Sequence, residues 1–227
     1  MSELNETQPR MENPKPATYR RYRSPGRPTA SHAEARNREL LDVALDLFLE
    51  HGFERTTIEA ITSAVGMAKR TVYARYGDKQ TLFRIALERA IDDFIVPVEK
   101  LRAAESEDFA DSLNAIGHIL VANILTREGL RLLRITNAES GRMPEIGEYT
   151  LSRGTGPTLA YLSDLFHRCL PDRFVCPNDA QELAYSFLNL VVGGPANMVA
   201  WGVKLNDDQI ERQTQANVRL FLHGVLH

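Results

Sequence analysis

Cysteine is scarce in this chain of 227 residues: only Cys169 and Cys176 are present, separated by six residues. That spacing matches neither a zinc ligand pair nor a dithiol redox motif, and two thiols cannot build a disulfide framework. Thiols this few and unpatterned suit a reducing compartment. No run of about 20 apolar residues is present, so no membrane-spanning segment is expected. Residues 1–31 are polar and lack the apolar centre of a secretory signal. These absences together point to a cytoplasmic protein. No Ser/His/Asp order, metal-spaced His/Cys set or glycine-rich phosphate loop can be traced, which argues against an enzyme and against a bound metal or cofactor. Sustained period-two alternation is absent as well, so no strand is expected.

What is present is an ordinary globular mixture, 43% hydrophobic and 25% charged, enough to bury a core without staples. The net charge of -3 conceals an asymmetry. Residues 1–79 hold 13 Lys+Arg against 11 Asp+Glu, whereas residues 80–227 hold 14 against 19. The positive charge gathers in two places, at Arg20, Arg21, Arg23 and Arg27 and again at Lys69, Arg70, Arg75 and Lys79. Local basic clusters govern polyanion binding more than net charge does. Residues 1–30 hold five of the eleven prolines and almost no aliphatic side chains, so they read as a flexible basic arm.

Beyond the arm the apolar residues recur with the helical period. Ser31 and Glu34 form a capping-box pattern ahead of a stripe at Leu40, Leu41, Ala44, Leu45 and Phe48, which Gly52 stops. Thr56 and Glu59 repeat that pattern before a short helix with Ile58, Ile61 and Val65 inward, closed by Gly66 in a left-handed turn. Val72 and Tyr76 face the core from a third segment, and Gly77-Asp78 breaks it. A long helix is expected from Lys79 to Leu101, kinked or ended by Pro97. Further helices are expected at 109–124, 130–139, 145–169 with a loosening at 154–157, 179–202 and 207–225. The expected fold is all-α, about nine helices. A three-helix head at 31–78 precedes a larger body at 79–227.

Two short helices joined by a glycine turn suit a helix-turn-helix, whose second helix offers its N-terminal side chains to the major groove. Lys69 and Arg70 in a first helical turn oppose the helix dipole, and Ala68 provides no side-chain cap, so both are poorly placed for stability alone. Contact with a polyanion explains them. In the arm, the run Arg23-Ser24-Pro25-Gly26-Arg27-Pro28 suits a narrow, A·T-rich minor groove.

The run Gly52-Phe53-Glu54-Arg55-Thr56-Thr57-Ile58-Glu59-Ala60-Ile61, with Val65-Gly66-Met67, Thr71-Val72-Tyr73, Tyr76-Gly77-Asp78-Lys79 and Leu82, resembles the signature of the tetracycline-repressor (TetR) family over residues 36–84. Ala68, in place of a small hydroxyl residue, and Thr62, in place of alanine, depart from that pattern. The resemblance implies a nine-helix homodimer that binds operator DNA and is released when a small-molecule effector fills the body. It also implies that Thr57 and Lys79 contact phosphate. Lys69, Arg70 and Thr71 would face base edges, and Tyr73 and Arg75 would hold the backbone or adjacent bases.

In the body, Leu183, Phe187, Leu190, Val191, Val218, Phe221, Leu222 and Val225 make the last two helices apolar enough to need a partner surface, and they are the expected dimer face. Asn114, His118, Asn123, Asn189 and Trp201 are polar or amphipathic groups among apolar neighbours, which makes them candidate effector contacts. Gly193-Gly194-Pro195 should kink or restart its helix and free backbone carbonyls. The segment Asn137–Glu145 also resembles the family. The competing readings are an effector-free architectural or division-linked DNA-binding factor, an all-helical enzyme, and a thiol sensor built on Cys169 and Cys176.

Overall fold

The computed structural model describes residues 30–171 and 179–226. Among these residues every regular element is helical. The helices are α1 (Ala30–His51), α2 (Ile58–Val65), α3 (Lys69–Tyr76), α4 (Lys79–Phe94), α5 (Val98–Arg102), α6 (Phe109–Ile124), α7 (Arg127–Glu139), α8 (Pro144–Tyr149), α9 (Gly156–Cys169), α10 (Asp179–Phe187), α11 (Gly194–Ala200) and α12 (Asp207–Leu226). Two π-helical turns, Thr150–Thr155 and Leu188–Gly193, join α8 to α9 and α10 to α11 without a break. Counting each joined pair once and setting the five-residue α5 aside leaves the nine helices expected.

Each π turn runs directly into a Gly-Pro pair, Gly156-Pro157 and Gly194-Pro195. Proline supplies no N–H, and its ring crowds the carbonyl four residues back. Widening the turn by one residue relieves that crowding, and the amides of Gly156 and Gly194 accordingly bond to Leu151 and Asn189, five residues back. The expected loosening at 154–157 and restart at Pro195 are thus changes of winding within continuous helices. Near Pro195, the Leu190 carbonyl receives the Nδ2–H of Asn217 from α12 at 2.8 Å.

Two hydrophobic cores organise the molecule. The first takes Leu40, Ala44 and Phe48 from α1, Ile61 and Val72 from the short helices, and Leu82, Phe83 and Leu87 from α4. It extends into the body through Leu132 and Ile135 of α7, Met143 and Ile146 of α8. Phe48, Phe53 and Phe83 cluster at its centre, with ring centroids 4.8–5.8 Å apart. The second core gathers α5, α6, α9, α10 and α12 around Phe166, Phe187 and Phe221, whose centroids lie 5.1–6.3 Å apart. Aromatic pairs in such edge-on or tilted arrangements add about 0.5–1.5 kcal/mol each beyond their burial.

Several helix ends differ from the expected ones. α1 is already helical at Ala30, so Ser31 lies inside its first turn and cannot cap it. The N-cap of α2 is Thr57, whose Oγ1 accepts the Ala60 N–H at 3.1 Å. Thr56 is buried, and its hydroxyl is aimed at the Leu47 and Gly52 carbonyls at 3.0 and 2.9 Å. α4 ends at Phe94 instead of Leu101, where Ile95 turns extended two residues before Pro97. The C-terminal apolar residues also need correction. Phe187, Val191, Val218, Phe221 and Leu222 are buried within this one chain, while Leu183, Leu190 and Val225 are partly buried against the same core. An amphipathic stripe shows that a face needs cover, and here the chain itself covers it.

By length and composition, the stretch Asp179–Ala200 passes as an apolar span, a property that counting consecutive apolar residues missed. Its Ala180, Ala184, Phe187 and Val191 pack into the second core.

Candidate nucleic-acid interface and ligand cavity

The chain leaves α2 through Gly66, left-handed at φ 61°, and the amide of Met67 bonds back to the Thr62 carbonyl at 2.9 Å. This tight turn sets α3 at the surface, with only Val72 and Tyr76 buried. The Tyr76 hydroxyl bonds to the Asn37 carboxamide of α1 and fixes the helix against the head. With those two positions inward, Lys69, Arg70, Thr71, Tyr73 and Arg75 are all exposed. α3 begins at an uncapped Ala68. Thr57, also exposed, stands at the N-terminus of the neighbouring α2.

The cations on this face are not equivalent. Lys69 is ion-paired with Glu59 of α2, the residue expected to complete a capping box. That pairing holds the Glu59 carboxyl below its usual range. Lys79 donates to the Phe53 and Glu54 carbonyls at 2.9 and 3.3 Å and lies 4.3 Å from the Phe53 ring centroid. Its ammonium therefore braces the α1–α2 loop. Arg70 has no ion-pair partner among the described residues, and Arg75 stands 5.9 Å from the ring centroid of Tyr76. Arg23 and Arg27 lie outside the described residues.

The head is tied to the body by charge as well as by the shared core. Arg131 of α7 meets Asp46 of α1 at 3.1 Å, Arg89 of α4 meets Asp42 at 3.0 Å, and Arg142 pairs with Glu54. The Arg142 hydrogen bond keeps the Glu54 carboxyl below its ordinary value. Beside it, Glu139 is buried with one carboxylate oxygen lacking a partner among the described residues. None of these pairs was foreseen, because each joins residues far apart in sequence without a motif.

Behind the head, α4, α6, α7, both π turns and the starts of α9 and α11 line a partly open cavity of about 380 Å³. Ile91 and Phe94 of α4 form part of its wall, so the helix that packs on α1 also touches the cavity. Of the five residues expected to contact an effector, Asn123 and Asn189 line it. Asn123 donates Nδ2–H to the Phe94 carbonyl at 3.2 Å. Asn114, His118 and Trp201 lie elsewhere. Asn114 bonds back to Ala110 within α6. His118 has Nδ1 2.6 Å from the Asn114 carbonyl and Nε2 2.7 Å from a carboxylate oxygen of Glu211 in α12, the latter contact out of line for a hydrogen bond. Trp201 is 79% exposed at the end of α11. Sequence reasoning missed Thr136, Thr150, Thr155, Thr158 and Asn197 on the wall. The two Gly-Pro pairs were the available signal, since π turns collect at functional sites. Cys169 is exposed at the end of α9, and Cys176 lies outside the described residues.

This chain is similar to known proteins. Residues 40–85 match the model for bacterial regulatory proteins of the tetR family, and residues 111–224 match that for the C-terminal domain of AefR-like transcriptional repressors. The HTH-type transcriptional repressor ComR of Escherichia coli (strain K12) is 34% identical over 91 residues, 40% of this chain and 41% of ComR. The chain thus spans about two fifths of that curated relative. A putative TetR-family regulator from Mesorhizobium loti superposes with a TM-score of 0.70 at 24% identity, covering 85% of this chain and 97% of that one, which shows the fold. The flavonoid-responsive regulator FrrA superposes with a TM-score of 0.65 at 28% identity, covering 84% and 97%. With one model matched across the head and another across half of the chain, this protein belongs to the tetR family of bacterial regulatory proteins.

Proposed function

We propose that the protein is a cytoplasmic repressor that grips a palindromic operator through α3 and lets go when a small molecule fills the body cavity. The observation that carries the reading is the division of α3. Val72 and Tyr76 lock into the head, while five cationic, hydroxylated or aromatic side chains are exposed along its outer face. Arg70, Thr71 and Lys69 read base edges, with Lys69 exchanging Glu59 for DNA. Thr57, Tyr73 and Arg75 hold the backbone, and Lys79 combines its loop contacts with a phosphate. Residues 31–78 serve as the DNA-binding unit, residues 79–227 as the effector and dimerisation unit, and Arg23 and Arg27 of the arm enter the minor groove.

The cavity supports effector control because its wall includes α4, the helix directly following the head. A ligand pressing on Ile91 or Phe94 displaces a helix that α1 packs against. The chain works as a homodimer, as a palindromic site requires. Tyr185 and Leu220, at 36% and 63% exposure on α10 and α12, replace the buried residues as the surface a second copy covers. Leu220→Glu should then yield monomers by light scattering.

The test of DNA binding begins with a duplex selected from a randomised pool by the intact protein. Fluorescence anisotropy then compares wild type with an Arg70→Glu/Arg75→Glu variant of equal thermal stability. Specific binding should be lost in the variant. Retention of wild-type affinity refutes the interface. Lys79 is left intact because reversing its charge would disturb the loop it braces.

A further inference from the structure

The chemistry of the cavity wall narrows the ligand to one class. This inference rests on the reading of the cavity as the effector site. Among the described residues, no Asp, Glu, Lys, Arg or His lines it. The pocket is partly open to solvent, yet a charged ligand group set against its wall would shed part of its water and gain no counter-charge, a penalty that an uncharged group does not meet. The wall is otherwise aliphatic apart from Phe94, four threonines and three asparagines.

Two of the hydroxyls are fixed as acceptors. Thr136 commits its only hydroxyl proton to its own helix, at the Leu132 and Leu133 carbonyls, 2.8 and 3.1 Å away. Thr150 does the same at Ile146, at 2.7 Å. Both oxygens are left able only to accept. Asn123 spends an amide proton on Phe94, which fixes the orientation of its carboxamide and leaves Oδ1 without a partner among the described residues. Three helical elements thus offer lone pairs. Thr155, Thr158, Asn189 and Asn197 form no side-chain hydrogen bond among the described residues and can adapt in either sense.

We propose that the cavity takes an uncharged, mainly apolar compound bearing hydroxyl or N–H donors, and that it rejects carboxylates and phosphates. The asparagine amides and the free threonine hydroxyls could donate to a carboxylate, but the wall offers it no cation to offset the loss of water, and the fixed Thr136 and Thr150 oxygens would face it with lone pairs. A phenol or alcohol on a compact hydrocarbon frame satisfies the wall and suits 380 Å³, toward the small end of pockets for drug-sized ligands.

Three biphenyls of common frame test the claim on the full-length protein at neutral pH by isothermal calorimetry. They are 4,4′-dihydroxybiphenyl, 4-methoxybiphenyl and biphenyl-4-carboxylate. The diol should bind roughly 10-fold more tightly than the methyl ether, which cannot donate, and at least about 100-fold more tightly than the carboxylate. The Thr136→Val/Thr150→Val variant should reduce the preference for diol over ether to about 3-fold or less. Leu133→Trp, or Val192→Phe if the first does not fold, should abolish diol binding by filling the cavity. Equal or tighter carboxylate binding, absence of diol binding, or diol binding unaffected by both filled cavities overturns the proposal. Anisotropy of the selected duplex keeps the two readings apart. A diol that binds with the expected preferences but leaves the duplex bound upholds the ligand class while refuting effector release.

Discussion

Replacing Thr56 and Thr57 one at a time separates two jobs that adjacent threonines perform at the entrance to α2. Thr57 is exposed, and its side chain satisfies the Ala60 amide. Alanine removes that cap, a change costing about 1 kcal/mol. Thr56 is 1% exposed, and its hydroxyl serves carbonyls at residues 47 and 52. Valine keeps its shape and deletes the donor from a buried site, costing about 2 kcal/mol. For a chain of this size, one kcal/mol moves Tm by about 2–4 °C. Thr57→Ala should lower Tm by about 2–4 °C and Thr56→Val by about 4–8 °C, while Thr57→Ser remains close to wild type. Far-ultraviolet circular dichroism during heating measures this, at one protein concentration because dimerisation would couple Tm to it. Should Thr57→Ala prove as damaging as Thr56→Val, the assignment of cap and buried brace is wrong.

Three other perturbations follow from particular contacts. Arg168 holds Glu105 with two nitrogens at 3.0 Å and keeps its carboxyl below the usual carboxylate range. A depressed pKa contributes stability that is complete above the unfolded value of about 4.3 and fades as pH falls through the folded value, so wild type should lose more stability than Glu105→Gln in this acid window by chemical denaturation. A Cβ at Gly129 would stand 2.4 Å from the Ile124 carbonyl oxygen and 2.6 Å from Phe94 Cζ. Gly129→Ala should therefore cost about 1–3 kcal/mol in urea unfolding, and an unchanged midpoint would contradict the packing. Asn217→Leu withdraws the donor from the Leu190 carbonyl beside Pro195 and should destabilise by about 1–3 kcal/mol, with faster amide exchange in α11 than in α6.

The head was the most legible part because its signals are local. Gly66 adopts the positive φ that its position between apolar stripes suggested, Gly77-Asp78 ends the third helix as expected, and Val72 and Tyr76 are buried as their spacing implied. Where the reading failed, two placements satisfied the same pattern. Thr56 and Thr57 both precede an apolar run, and only burial reveals which one caps. Phe187 and Phe221 announce an apolar face, but period alone cannot tell a partner chain from α9 across the core. The cavity was hardest to see. Its threonines are unremarkable in sequence, scattered over α7, a π turn and α9, and meet only because the bent pair α6–α7, turned by 74°, encloses space beside the two widened turns.

The first core, which runs from α1 through α4 into α7 and α8, bears on how such proteins can be recombined. A chimera joined after residue 78 would graft a foreign head onto Leu82, Phe83 and Leu87 and leave their original neighbours behind. Exchanging operator preference between relatives would then demand either transplanting α4 along with the head or confining changes to the solvent side of α3. Only the second route leaves the packing of α1 on α4, and of α4 on the cavity, in its native form.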